Sequence, residues 1–175
     1  MYTNDYDFVG ANAIKIIVQN SEGKVLLTQE PKNFTWMPLH WGLPGGKATN
    51  TESLMETFYR KCVGDIGQKL KMEGIFRIIE LLQDKRTIFM YIVVAKSISD
   101  DVSGEAKAYK WVDLTDVEKM DVVEFTEYYN KSMLIEFLSK ENELVNQSLI
   151  HTFPYYSMNE DIEYQRWLGS GKSDK

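Results

Sequence analysis

Two short stretches hold the residues best suited to chemistry. The turn Trp41-Gly42-Leu43-Pro44-Gly45-Gly46-Lys47 leads past Glu52 to Arg60-Lys61-Cys62-Val63-Gly64-Asp65-Ile66-Gly67. Paired glycines allow tight turns and close backbone approach to a ligand, so Gly45 and Gly46 are candidate ligand-binding positions. On a helix, Lys61 and Asp65 lie one turn apart on the same face. Lysine binds phosphate as a point charge, and an aspartate supplies the hard oxygen that a divalent cation needs. The alternative is that Lys61 and Asp65 simply pair with each other at the surface. Phe34, Trp36 and Trp41 flank the turn, and an aromatic face there could stack on a base. Trp36 is the ligand candidate among them, and Trp41 reads as a packing residue. His40 could serve as a general base, although a lone loop histidine usually has no such role. Cys62 falls on the apolar stripe of the helix and reads as core.

The elements that must position these residues can be read from pattern. Ile14 to Gln19 and Val25 to Gln29 read as strands joined by a turn at Asn20-Ser21-Glu22-Gly23. A long loop runs from Pro31 to His40. Ser53 with Glu56 forms a capping box that starts a helix. Leu54, Phe58, Cys62 and Ile66 make its buried stripe, and Gly67 ends it. Ile75 to Leu82 and Thr87 to Ala95 predict a second hairpin, and Tyr109 to Leu114 another strand. Thr115 with Glu118 predicts a further capped helix, followed by a longer one from about Val123 to Lys140. Phe153, Pro154, Tyr155, Tyr156, Tyr164 and Trp167 then give residues 145–175 an aromatic character that suits docking on the domain or on a partner. The domain proper is expected over residues 1–144.

Bulk composition narrows the function classes. The chain has 175 residues, a net charge of −6 and 43% hydrophobic residues, enough for one domain with a sizeable core. The acid balance disfavours nonspecific nucleic-acid binding, which relies on a basic surface. It leaves room for a local cation in a pocket. The single cysteine excludes an internal disulfide and fits a reducing compartment. No basic start followed by an apolar run is present, and Ile88 to Ala95 is too short to span a bilayer as a helix. These features predict a soluble cytoplasmic protein with no membrane partner; a homodimer is one option for its assembly.

The spacing resembles the Nudix superfamily. That family's box reads Gly, five residues, Glu, seven residues, then Arg-Glu-U-x-Glu-Glu-x-Gly-U, with U bulky and apolar. Gly46, Glu52, Arg60 and Gly67 fall in register, and Cys62 is acceptable as U. The order of elements over roughly residues 10 to 140 also fits, including Trp111-Val112-Asp113-Leu114 before a capped turn. The resemblance implies an α/β fold, the Nudix α/β/α sandwich with a mixed sheet, here with an aromatic-rich C-terminal extension. It assigns Glu52, Arg60 and Gly67 to bracing the loop and helix.

It also implies hydrolysis of a diphosphate bond with Mg²⁺ or Mn²⁺ held by glutamates. Those glutamate positions are Lys61, Gly64 and Asp65 here, and the last U is Gln68. If a metal is held, Asp65 and the Gly45 carbonyl are the implied ligands, and Asp65 with Glu105 are the candidate catalytic carboxylates. Glu105 lies in the loop before Trp111, where some members place an extra acid, but it also reads as a plain solvated residue. Glu56 reads as a cap. A lysine beside one aspartate makes a poor site for a hard cation. The expectation is therefore a Nudix-fold binder of a nucleotide or other phosphorylated small molecule, with hydrolysis lost or strongly reduced. The alternative is an active hydrolase of a nucleoside diphosphate linked to another moiety, using Asp65 and substitute carboxylates.

Overall fold

A computed structural model of the chain describes residues 11–35, 37–49, 51–83 and 86–146. Trp36 and the aromatic segment from residue 147 onward, both singled out above, lie outside the described residues. Strand β1 (Ala11–Gln19) runs through the centre of the mixed sheet. Along its whole length it pairs in parallel with β6 (Arg86–Lys96), which in turn pairs antiparallel with β5 (Lys71–Gln83). The other edge of β1 takes the short strand β4 (Gly45–Lys47) at Ala13 to Lys15, and meets β2 (Val25–Gln29) only at Gln19. Strand β2 carries β3 (Trp41–Gly42) and β7 (Ala108–Val112). The edge of β1 that faces β2 at Gln19 is thus taken at Ala13 to Lys15 by the glycine-rich turn.

Alternation along β1 divides the core in two. Ile14, Ile16 and Val18 face Phe58, Cys62 and Ile66 on one side of the sheet. Ala13 and Ile17 face Phe125, Leu134 and Phe137 on the other. Lys15 belongs by parity to that second, apolar side, where its side chain is nearly buried.

Helix α1 (Leu54–Lys61) begins at the expected capping box: the Ser53 hydroxyl accepts from the Glu56 amide, and Glu56 accepts from the Ser53 amide. Its last turn widens into a π-helical turn, Cys62–Ile66, and Gly67 ends it with φ +76°. Two other expectations are corrected. Strand β7 stops at Val112, its last partner on β2, so Asp113 rather than Thr115 caps α2 (Leu114–Lys119), in a capping box with Asp116. The continuous helix from 123 to 140 is interrupted. Asp121 caps a short 3₁₀ turn, Val122–Glu124, and the Thr126 amide then donates to the Trp41 carbonyl at 2.8 Å. Helix α3 begins only afterwards, at Asn130–Ser139. Buried Phe125 and this backbone bond hold the segment extended against β3, overriding local helix propensity. Val145 exchanges both backbone hydrogen bonds with Ile75 on β5, at 2.9 Å each.

Candidate functional site

The glycine-rich turn, the π-helical turn and the 97–105 loop meet on one side of α1. Gly45 cannot be replaced by a larger residue here, because a Cβ would fall 2.1 Å from the Ile14 carbonyl oxygen. Its φ of +145° also disfavours L side chains. Close approach to β1 lets the Gly45 amide donate to Asp65 Oδ2 at 2.8 Å. The other oxygen, Oδ1, receives the Lys61 ammonium at 3.3 Å. That ammonium lies beside Gly46, where a Cβ would stand 3.2 Å from Nζ.

Glu52 and Arg60 clamp the turn to the helix. Arg60 forms a bidentate pair with Glu52 at 2.5 and 2.7 Å and donates to the Lys47 carbonyl at 3.1 Å. The guanidinium and the Thr49 amide hold the Glu52 carboxyl well below the usual range, at about 2. Cys62, packed against β1, has its thiol pushed up to about 12 by burial, which leaves no thiolate for nucleophilic chemistry.

The loop before β7 is fastened to the same turn. Gln68, at a position that is apolar in the family pattern, is buried and donates to the carbonyls of Ser99 and Asp101 at 2.9 and 2.6 Å. Its carbonyl accepts from the Ser97 hydroxyl at 3.0 Å. The Ser103 amide donates to the Ile66 carbonyl, and the Glu105 amide to the Gly64 carbonyl at 2.8 Å. Gly104 packs so closely that a Cβ would lie 2.2 Å from the Asp65 carbonyl. Glu105 is thereby held beside Gly64, whose Cβ position is open space.

A cleft of about 230 Å³ opens over this junction, and Lys61, Asp65, Gly45, Glu105, Glu30 and Phe34 are among its walls. Pattern reading missed Glu30. It directly follows β2, its amide donating to the His40 carbonyl and its carbonyl accepting from the Leu39 amide. Its carboxyl is raised by burial, with Asp65 and Glu127 adding to the shift and Lys15 and Lys61 opposing it. Pattern reading also missed a buried ion pair just behind the cleft. Lys15 Nζ stands 3.2 Å from Glu127 Oε1 and 3.5 Å from the Leu43 carbonyl. Burial alone would raise the Glu127 carboxyl; Lys15, the Thr126 hydroxyl and the Asn130 amide outweigh it and hold it low. A lysine in register between Ala13 and Ile17 was the available signal.

His40 takes no part in the cleft. Its Nδ1 donates to the Pro38 carbonyl at 2.8 Å, and it lines a separate groove with Leu82, Val123 and Tyr128. The donor set over the turn does not fit a hard divalent cation. Asp65 has both oxygens engaged, one of them by an ammonium, and residue 64 offers no side chain. Among the described residues no three His, Cys, Asp or Glu side chains converge on a metal position. No helix among them is long and apolar enough to cross a membrane.

A family model for the NUDIX domain matches residues 11–131, and the chain belongs to that family. Among solved structures it is similar to a MutT protein from Methanosarcina mazei Go1. That pair is 21% identical over 75% of this chain and 94% of the other, with TM-score 0.63. A NUDIX-family hydrolase from Clostridium perfringens is 18% identical over 74% and 96%, with TM-score 0.56. A UDP-X diphosphatase is 16% identical over 79% of this chain and 63% of that one, with TM-score 0.57. At these identities the likeness is one of fold. No curated protein matches the sequence.

Proposed function

We propose that this Nudix domain binds a nucleotide or another diphosphate-containing small molecule in the cleft over Gly45 and Gly46, with metal-dependent hydrolysis lost or strongly reduced. One observation carries the reading: the Lys61 ammonium stands beside Gly46 and 3.3 Å from Asp65, a cation built into the turn. A ligand phosphate entering the cleft would meet that ammonium and share it with Asp65, and Lys61 would orient the phosphate as a point charge. Glu52 and Arg60 would keep the turn rigid beneath it, which lowers the ordering cost of binding.

The test is metal-free binding of ADP, measured by calorimetry on the wild type and on Lys61→Glu. Losing one charge-assisted hydrogen bond costs roughly 1.5–3 kcal/mol, so affinity should fall by at least about tenfold. Equal affinity in the two proteins would remove Lys61 as a ligand.

A second reading is an active hydrolase of a nucleoside diphosphate linked to another moiety, with Asp65 and Glu105 as its carboxylates and Mg²⁺ or Mn²⁺ as cofactor. It draws on the Glu105–Gly64 backbone contact, which brings a substitute acid beside the turn. Mn²⁺ titration followed by water-proton relaxation separates the two. Stoichiometric binding by the wild type favours the hydrolase; binding only by Lys61→Glu/Gly64→Glu favours the binder. The aromatic segment, residues 145–175, is proposed to pack on the domain or on a second copy. If it joins two copies, removing residues 150–175 should shift the mass in solution from that of a dimer towards that of a monomer, and an unchanged assembly state would count against it.

A further inference from the structure

The charges around the cleft do not balance for a phosphate ligand. Lys61 supplies one positive charge, already shared with Asp65. Glu105 and Glu30 add two more carboxylates to the walls. Neither carboxylate accepts a hydrogen bond or forms an ion pair among the described residues. The nearby Lys15 redresses this only in part: it acts on Glu30, but it is paired with Glu127 behind the wall, and Asp65 and Glu127 act on Glu30 in the opposite sense. Glu30 is the less adaptable of the two. Its backbone is fixed on both sides by hydrogen bonds to Leu39 and His40, and Pro31 follows it directly. Its side chain is half-buried.

We propose that Glu30 is a specificity-determining residue that makes the cleft discriminate between diphosphates by their charge. A diphosphate esterified at both ends carries one negative charge on each phosphorus. A terminal phosphate carries close to two. Each added charge meets Lys61, which is already paired, and the half-buried carboxyl of Glu30, whose backbone is fixed. The cleft therefore binds the doubly esterified form more tightly than free nucleoside di- and triphosphates, and Glu30 sets the difference. This rests on the reading of the cleft as a diphosphate site.

The experiment measures metal-free affinities of ADP-ribose, ADP and ATP for the wild type and for Glu30→Gln, which preserves the side-chain shape. The wild type should bind ADP-ribose at least about tenfold more tightly than ATP, the size expected of one like charge acting across a partly hydrated cleft. Glu30→Gln should strengthen ATP most, ADP less and ADP-ribose least, narrowing that gap several-fold. Wild-type binding that is equal for all three, or tightest for ATP, overturns the charge filter and leaves the diphosphate site standing. A wild-type preference that Glu30→Gln leaves unchanged overturns the role of Glu30. Failure of all three probes to bind the folded wild type overturns both the filter and the underlying reading.

Discussion

Replacing Lys15 by Met should destabilise the fold by about 2–3 kcal/mol. Lys15 is on the core-facing side of β1, with 9% of its side chain exposed; Glu127 is 21% exposed. Removing one member of a buried pair typically costs about 3–5 kcal/mol, because the other charge is left without compensation. Two features reduce that figure here. Glu127 retains some water and keeps its hydrogen bonds from Thr126 and Asn130. Methionine also buries well beside Ala13 and Ile17, which returns roughly 1 kcal/mol. For a domain of this size, such a loss lowers Tm by roughly 5–10 °C.

Urea unfolding, read as a shift in midpoint at constant m, measures the loss. Glu127→Gln should cost a similar amount, since it leaves the Lys15 ammonium with only the distant Leu43 carbonyl. The double variant should fall well short of the sum of the two, with a coupling of about 1.5 kcal/mol or more. The pH dependence provides an independent check. Glu127 has its carboxyl depressed in the fold, so its contribution is present above the ordinary carboxylate range and is lost as pH falls through the folded value. The Lys15→Met variant should show less of that acid sensitivity. A loss below about 1 kcal/mol, or strict additivity, would mean that the pair is incidental and that Lys15 has access to water.

Gly104→Ala should destabilise by roughly 1–3 kcal/mol, because its Cβ would overlap the Asp65 and Gly64 carbonyls. It should also lift Glu105 from the cleft, and thermal denaturation with metal-free ADP titration reads both effects. The stabilisation from Glu52 and Arg60 should be present above about pH 4.5 and disappear as pH falls towards 2. The Tm difference between wild type and Arg60→Ala should therefore shrink over that interval; a constant difference would assign Arg60 a role in packing alone. Cys62 should resist a thiol-specific reagent at pH 8 in the folded protein and react promptly in urea. Rapid labelling of the native state would contradict its burial.

Parts of the fold governed by neighbours in sequence could be read without coordinates. Ser53 and Glu56 cap α1 from three residues apart, and Gly67 ends the helix because a left-handed residue is needed there. The capping box expected at Thr115 and Glu118 is instead made by Asp113 and Asp116. Thr115/Glu118 and Asp113/Asp116 have the same spacing, and the choice depends on β7 ending opposite Val25. Residues 123–140 look helical throughout, and only a bond to Trp41, far away in sequence, explains the break. Glu30 and Lys15 were hidden for a similar reason. A glutamate before Pro31 looks like ordinary loop, and one lysine in an apolar strand looks like its solvent side. Their importance arises when β4 and the segment before α3 close over the same end of β1.

The box itself illustrates the limit differently. Its altered residues were visible at once, but types and spacing do not reveal what Asp65 is doing. In the fold it is neither a free carboxylate nor an isolated relic. It accepts from the Gly45 amide with one oxygen and from Lys61 with the other, tying the glycine-rich turn to the π-helical turn. Lys61 is therefore part of what holds the turn closed, as well as a possible ligand. It follows that Lys61→Glu alone should set two carboxylates against each other and loosen the Gly45 contact. A loss of ADP affinity in that variant could then come from a shifted turn. Lys61→Met separates the causes, because it removes the ammonium while leaving the Asp65–Gly45 bond intact. Weakened binding in Lys61→Met, with an unchanged amide resonance for Gly45, would place the effect on the phosphate. Weakened binding with a displaced Gly45 resonance would place it on the turn.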